Sequence, residues 1–276
     1  MRVKKSTLVK LSFILLCAQP LVSFGQTQPV KKKKKTEIYL SWGYNKEWYT
    51  RSTLKISQPD LNNHYRFINV KGHDRPGWND GLFSKALSIP QYNYRLGFFF
   101  NDKNNLGFEV NFDHTKFIFA DNQLVHIKGT VDGKAYNGKV LFKDNSENPN
   151  ADSSSYYYLN NGANFLLFNI MKRWHWYTNK KENIKIDAIT KFGIGPVIPH
   201  VENKFFQQPH NDKHFQLGGW NTGVEGALRS TFYKHVYLEF AGKLDYARYS
   251  GLKIYKGTAK QAFGTAEIIL SLGFTL

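Results

Sequence analysis

Thr265-Ala-Glu-Ile-Ile-Leu-Ser-Leu-Gly-Phe-Thr-Leu276 ends the chain and alternates residue by residue. Ala266, Ile268, Leu270, Leu272, Phe274 and Leu276 fall on one face, and Glu267, Ser271 and Thr275 on the other. A period of two marks a strand whose faces meet different surroundings. Segments of the same kind recur at 37–49, 91–101, 106–119, 164–177, 184–197, 215–232, 235–247 and 264–276. In the third, Leu106, Phe108, Val110 and Phe112 oppose Glu109, Asn111, Asp113 and Thr115. Such segments match the roughly 9–11 residues of a tilted membrane strand.

The connections alternate in length. Residues 101–105, 179–183 and 233–235 make short turns, whereas 50–90, 120–163, 198–214 and 248–263 are long. Short turns on one side and long loops on the other are the habit of bacterial outer-membrane barrels, with the turns in the periplasm. The fold expected is therefore all-β, an antiparallel transmembrane β-barrel of eight strands spanning 37–276, with short periplasmic turns and long extracellular loops. Trp174, Trp176, Phe232 and Phe274 would form one interfacial girdle, and Tyr44, Trp48, Tyr92, Tyr94, Trp220 and Tyr246 the other. A soluble sandwich has the same period, but the turn parity, the girdles and the export signal described next favour the barrel.

Composition agrees. The 276 residues are 16% aromatic at a mean hydropathy of −0.48, which supplies too much apolar mass for a disordered chain. One cysteine leaves no disulfide framework and no Cys-based zinc site. Basic Met1–Lys5 and apolar Leu11–Phe24, followed by Ser23-Phe24-Gly25, read as a signal peptide over 1–25. Its removal takes Cys17 with it and lowers the net charge from +17 to +13. Leu16 before that cysteine argues against lipid attachment. Residues 26–36, with Lys31–Lys35, form a basic periplasmic tail, either solvated or touching anionic headgroups or peptidoglycan. Export makes nucleic acid an unsuitable partner despite the high pI.

With Glu267-Ile-Ile-Leu-Ser-Leu-Gly-Phe-Thr-Leu276 as its terminal segment, the chain resembles the small eight-stranded outer-membrane barrels, the class of OmpX, OmpW, the OmpA transmembrane domain and the lipid A-modifying barrels. The resemblance covers 37–276 and carries no catalytic motif. Trp42-Gly-Tyr-Asn45, His73-Asp-Arg-Pro76, Ile89-Pro-Gln-Tyr-Asn-Tyr-Arg95 and Phe112-Asp-His-Thr-Lys116 resemble stretches of uncharacterised outer-membrane proteins of the Bacteroidota. It implies residence in the outer membrane of a Gram-negative bacterium, contact with outer-membrane lipid and lipopolysaccharide, and assembly by the barrel-insertion machinery. Such barrels usually end in Phe, whereas Phe274 stands two residues early.

Continuing each strand's phase sends Arg95, Glu109, Asp113, Arg173, Asp187, Lys191, Glu225, Arg229, Glu239, Lys243, Asp245 and Glu267 into the lumen. Eight strands enclose a space that side chains fill, so these groups are expected to pair as a plug, with a narrow or gated channel as the alternative. Catalytic candidates are few. Asp113-His114-Thr115 has the residue types of a hydrolase triad, but strand alternation turns Asp113 and Thr115 inward and His114 toward lipid. His200, His210 and His214, with Glu202 and Asp212, are weak metal candidates, since the spacing of His210 and His214 is specific only on a helix and Pro209 argues for loop. Arg75 suits phosphate geometry, while Pro76-Gly77 equally serves a turn. In the loops, Leu54–Ser57 with Tyr65–Val70, and Val125–Val131 with Lys139–Lys143, can pair as strands above the membrane. The expectation is a barrel without cofactor, acting non-enzymatically at the cell surface in adhesion, envelope stability or ligand capture. A lipid A or phospholipid acyl hydrolase or acyltransferase and a small-molecule transport barrel are the alternatives.

Overall fold

Period-two patterning becomes strand along most of the chain in the computed structural model, which describes residues 36–76, 91–100, 103–142, 155–159 and 161–276. In chain order the first strands are β1 (Glu37–Tyr49), β2 (Ser52–Gln58), β3 (Asn63–Val70), β4 (Gly72–His73), β5 (Tyr92–Phe99), β6 (Leu106–Asp113), β7 (Phe117–Phe119), β8 (Gln123–Val131) and β9 (Lys134–Phe142). They continue with β10 (Tyr156–Leu159), β11 (Phe165–Thr178), β12 (Ile184–Val197), β13 (Val201–Lys204), β14 (Asn211–Lys213), β15 (Gly219–Phe232), β16 (Val236–Ile254) and β17 (Gly257–Thr275). The proposed signal peptide (1–25) and tail (26–36) lie outside the described residues, apart from Thr36.

Eight strands close on themselves in the order β1-β5-β6-β11-β12-β15-β16-β17, each antiparallel to its neighbours. The seam is β1 against β17, from Tyr39 opposite Thr275 to Tyr49 opposite Thr265. Closure removes both free edges, which a strand in lipid cannot leave unpaired. At the tight turn after β15, Tyr233 and Lys234 take φ of 50° and 70°, the mirror-image turn that matches strand twist. On the outer wall Leu40, Leu96, Ile170, Ile194, Phe240 and Leu270 stand exposed. Trp174, Trp176 and Phe274 stand toward the turn end, and Trp48, Tyr94, Trp220 and Tyr246 toward the opposite rim, also exposed.

The long connections fold into a cap. β17 runs past the rim and pairs through Thr258–Lys260 with β2, and β3, β8 and β9 follow edge to edge. A second sheet, β14-β13-β10-β7-β4, packs its apolar side on the first. Phe67 meets Phe142 and Phe205 at ring distances of 5.1 and 5.2 Å, and Phe119 meets Phe142 and Tyr157 at 5.3 and 5.0 Å. The cap core continues without a break into Phe165, Val197, Tyr249 and Phe263 at the top of the barrel.

Several boundaries differ from the sequence reading. The segment 106–119 is two strands: β6 stops at Asp113, and Phe117–Phe119 joins the second cap sheet. The strand expected from 215 begins at Gly219. Residues 248–263 are no loop, because β16 and β17 continue to a turn at Tyr255-Lys256. The cause is a bulge: the register slips between Tyr249 and Leu252, where Gly251 has φ 68°, so Ser250 and Gly251 interrupt the alternation.

Candidate functional site

Inward residues of the ring form two charged clusters. In the cluster nearer the periplasm, Lys191 Nζ lies 2.9 Å from Glu109, 3.1 Å from Glu225 and 3.0 Å from Glu239. Arg95 lies 2.8 Å from Glu225 and 3.3 Å from Glu109. Arg229 pairs with Glu239 at 2.7 Å while its guanidinium is held between the rings of Tyr39 and Tyr237, at 4.1 and 4.0 Å. The Tyr39 hydroxyl donates to Glu109 at 2.6 Å. Cations and carboxylates here are equal in number, so each buried charge has a counter-charge, without which burial would cost several kcal/mol per ion.

The outer cluster holds more carboxylates than cations, although Arg95 reaches across to Asp113 at 3.9 Å. Lys243 Nζ pairs with Asp113, lies 3.1 Å from Asp245 and 3.7 Å from Glu267, and Glu47 stands opposite Glu267 across the seam. At the periplasmic mouth, Arg173 pairs with Glu37 at 2.7 Å, and Asp187 with His175 at 2.9 Å and Lys185 at 2.8 Å. Above the outer cluster the surroundings turn apolar at once. The Tyr49 hydroxyl lies within hydrogen-bond reach of both Glu47 and the Lys116 carbonyl, its ring packs on Phe117 and Phe263, and Lys243 Nζ lies 5.8 Å from the Phe165 ring. The lumen is thus filled by ion pairs and roofed by the cap core.

Tyr39 and Tyr237 belong to this plug although aromatic character alone assigned them no place in it. The available signal was their phase, shared with Ser41 and Glu239 respectively. Each lies over a glycine on the facing strand, Gly97 and Gly273, where a Cβ would collide with the phenol ring.

Asp113, His114 and Thr115 do not converge. Asp113 points to Lys243, whereas His114 Nδ1 meets Asn164 Oδ1 at 2.8 Å and its ring stacks on Tyr92 at 4.7 Å. His114 is buried against the wall at the outer rim and is not turned to lipid, because Tyr92 covers it. Burial lowers its pKa to about 4, so the ring is neutral at physiological pH. Thr115 is buried elsewhere. The loop histidines separate too: His200 meets Asp212 at 3.0 Å, His210 bonds the Tyr156 hydroxyl, and His214 is exposed. Among the described residues no three His, Cys, Asp or Glu side chains gather as metal ligands. Asp74 accepts from the Glu47 amide at 3.0 Å, and the Arg75 amide donates to Gln91 at 3.3 Å, so this segment ties the first loop to the rim. Gly77 and Trp78 of the same motif lie outside the described residues.

A closed ring with an apolar outer wall, a polar interior, short turns at one end and elaborated loops at the other is the build of a transmembrane barrel. The protein is a closed eight-stranded antiparallel β-barrel with the architecture of outer-membrane barrels. No protein-family model matches the chain, and no curated protein does. Among solved structures it is similar to the outer-membrane protease OmpT of Escherichia coli at 10% identity and TM-score 0.35, covering 90% of this chain and 99% of that one. It is also similar to Ail, the attachment invasion locus protein of Yersinia pestis, at 10% identity and TM-score 0.32, covering 88% and 100%. Neisserial surface protein A matches at 9% and 0.31, covering 87% and 96%. At these identities the likeness is one of architecture alone.

Proposed function

We propose that this barrel is a non-enzymatic platform that holds a folded cap at the cell surface for ligand capture or adhesion. The observation that carries the reading is the double closure of the lumen, by the Arg95–Lys191–Arg229 ion-pair cluster below and the Phe117–Phe165–Phe263 core above. A filled interior serves anchoring better than conduction, and a cap with its own core presents a fixed surface. In this reading residues 1–25 direct export, the outer wall is seated in outer-membrane lipid and lipopolysaccharide, and the terminal segment Glu267–Leu276 is presented to the insertion machinery. Planar-bilayer recording of the purified barrel is expected to show no steady conductance. Stable ion-conducting steps would support the transport alternative, and an altered lipid acyl pattern in a deletion strain would support the acyl hydrolase or acyltransferase.

A further inference from the structure

Lys260, Lys55, Arg66 and Lys128 occupy one rung across four adjacent strands of the cap, each directly opposite the next: Lys260 to Lys55, Lys55 to Arg66, and Arg66 to Lys128. All four side chains are exposed, since their chain neighbours Leu54, Ile56, Tyr65, Phe67, Ile127 and Ala259 fill the cap core on the other face. Like charges directly opposite each other on a sheet are destabilising, and here three such pairs run in series. Nothing on the same strands relieves them. β2, β3, β8, β9 and the stretch 248–263 of the β16–β17 hairpin contain no Asp or Glu, and among the described residues none of the four cations has an ion-pair partner. Among the described residues the row thus breaks a local charge rule without an internal counter-charge, the kind of violation found at functional surfaces.

The geometry of the row selects the partner. Adjacent strands are spaced by about 4.8 Å, so the row extends roughly 14 Å across the strands. The neighbouring rung consists of Thr258, Ser57, His64 and Thr130, again directly opposite one another. It offers hydroxyl and imidazole hydrogen-bonding groups along the line of charge. No Phe, Tyr or Trp stands on either rung, so there is no row of large rings to serve as a stacking platform for nucleic-acid bases. The row is also remote from headgroup phosphates: Thr265 lies opposite Tyr49, the last residue of β1, and Lys260 is about 17 Å of strand farther out at ~3.4 Å per residue.

We propose that the Lys260–Lys55–Arg66–Lys128 row, with the Thr258–Ser57–His64–Thr130 rung beside it, binds an extended anionic polysaccharide, with sulfate or carboxylate groups on the cations and sugar hydroxyls on the neighbouring rung. The proposal deepens the surface-capture reading and rests on it. Heparin serves as the probe, titrated against the full-length barrel in micelles at several salt concentrations. Conductance is recorded on the same preparation, so that a failed platform reading and a failed binding surface are told apart. The combined variant Lys55→Ser, Arg66→Ser and Lys128→Ser should lose at least tenfold in affinity, and the slope of log affinity against log salt should fall by about two to three. A matched variant losing Lys180, Lys181 and Lys234 from the periplasmic turns should bind as the wild type does. Arg66→Glu alone should raise the unfolding temperature, because it places a carboxylate between two lysines, and still weaken binding. Absence of heparin binding by the wild type, or equal loss in both triple variants, would overturn the proposal. So would tighter, row-dependent binding of polyphosphate, lipopolysaccharide or duplex DNA.

Discussion

The ring of Phe117 lies flat on that of Phe263, with centroids 4.5 Å apart and planes 6° from parallel. Phe117 belongs to the second cap sheet and Phe263 to a strand of the barrel ring, so this stack joins the two. Phe117→Ala should cost about 3–5 kcal/mol, the usual range for emptying a buried aromatic site. Because the ring's own ladder is untouched, the loss should appear first in the cap. Limited proteolysis of the folded variant is expected to cut the segments 50–90 and 120–163 faster than in the wild type, with the barrel still shifting on heating in gels. Unchanged cleavage would show that the cap is held by other contacts.

The lumen clusters differ in charge balance, and that difference is measurable. Arg229 is the cation at 2.7 Å from Glu239, so Arg229→Leu leaves a buried carboxylate with less compensation and should cost about 3–5 kcal/mol. Lys243→Met should cost as much, since Asp113, Asp245 and Glu267 all converge on that lysine. Asp245→Asn removes one charge from the side in excess and should leave stability within about 1 kcal/mol of the wild type. Urea unfolding in micelles orders the three, and an Asp245→Asn variant as unstable as Lys243→Met would refute the account of excess acid.

Val110 tests the orientation of the wall. It stands opposite Leu96 and Phe168 on the apolar side of β6. Val110→Arg should therefore cost about 2–4 kcal/mol and impair assembly, as a charge on the lipid face near the midplane does. Cysteines introduced at Asp212 and Gly251 should react with an impermeant thiol reagent on intact cells, and one at Lys181 should not. Labelling of Lys181 alone would invert the barrel.

Much of the ring was legible because strict alternation survives wherever lipid lies on one side and a polar plug on the other. Glu267 between Ala266 and Ile268 shows both faces in three residues. The same rule lost part of the cap. At Ser250-Gly251 a bulge adds a residue, and the sequence then reads as loop although β16 runs on to Ile254. Leu54-Lys55-Ile56 and Tyr65-Arg66-Phe67 do alternate, and their pairing was expected. That Lys55 would stand opposite both Arg66 and Lys260 depends on register between strands distant in sequence, which no local pattern encodes. His114 shows the reverse limit: its phase predicted contact with lipid, but Tyr92 and Asn164, 22 and 50 residues away, decide what it touches.

His114 supplies a pH dependence that separates a structural histidine from a catalytic one. It lies just past the outer end of β6, and burial holds its folded-state pKa near about 4, below the ordinary histidine value of about 6.5. A depressed histidine contributes stability that is full above the unfolded value and lost as pH falls, because the unfolded chain takes up the proton first. Between pH 7 and pH 4 the wild type should lose about 3 kcal/mol on this account, by the conversion of about 1.4 kcal/mol per pKa unit. His114→Ala removes that slope while costing the hydrogen bond to Asn164 at neutral pH. Unfolding measured across this range should therefore show a variant less stable at pH 7 and converging on the wild type at pH 4. Lipid A and phospholipid acyl patterns should be the same in cells carrying either form. A variant whose deficit is constant with pH would place the histidine in solvent, and one that abolishes a lipid modification would make it part of an active site.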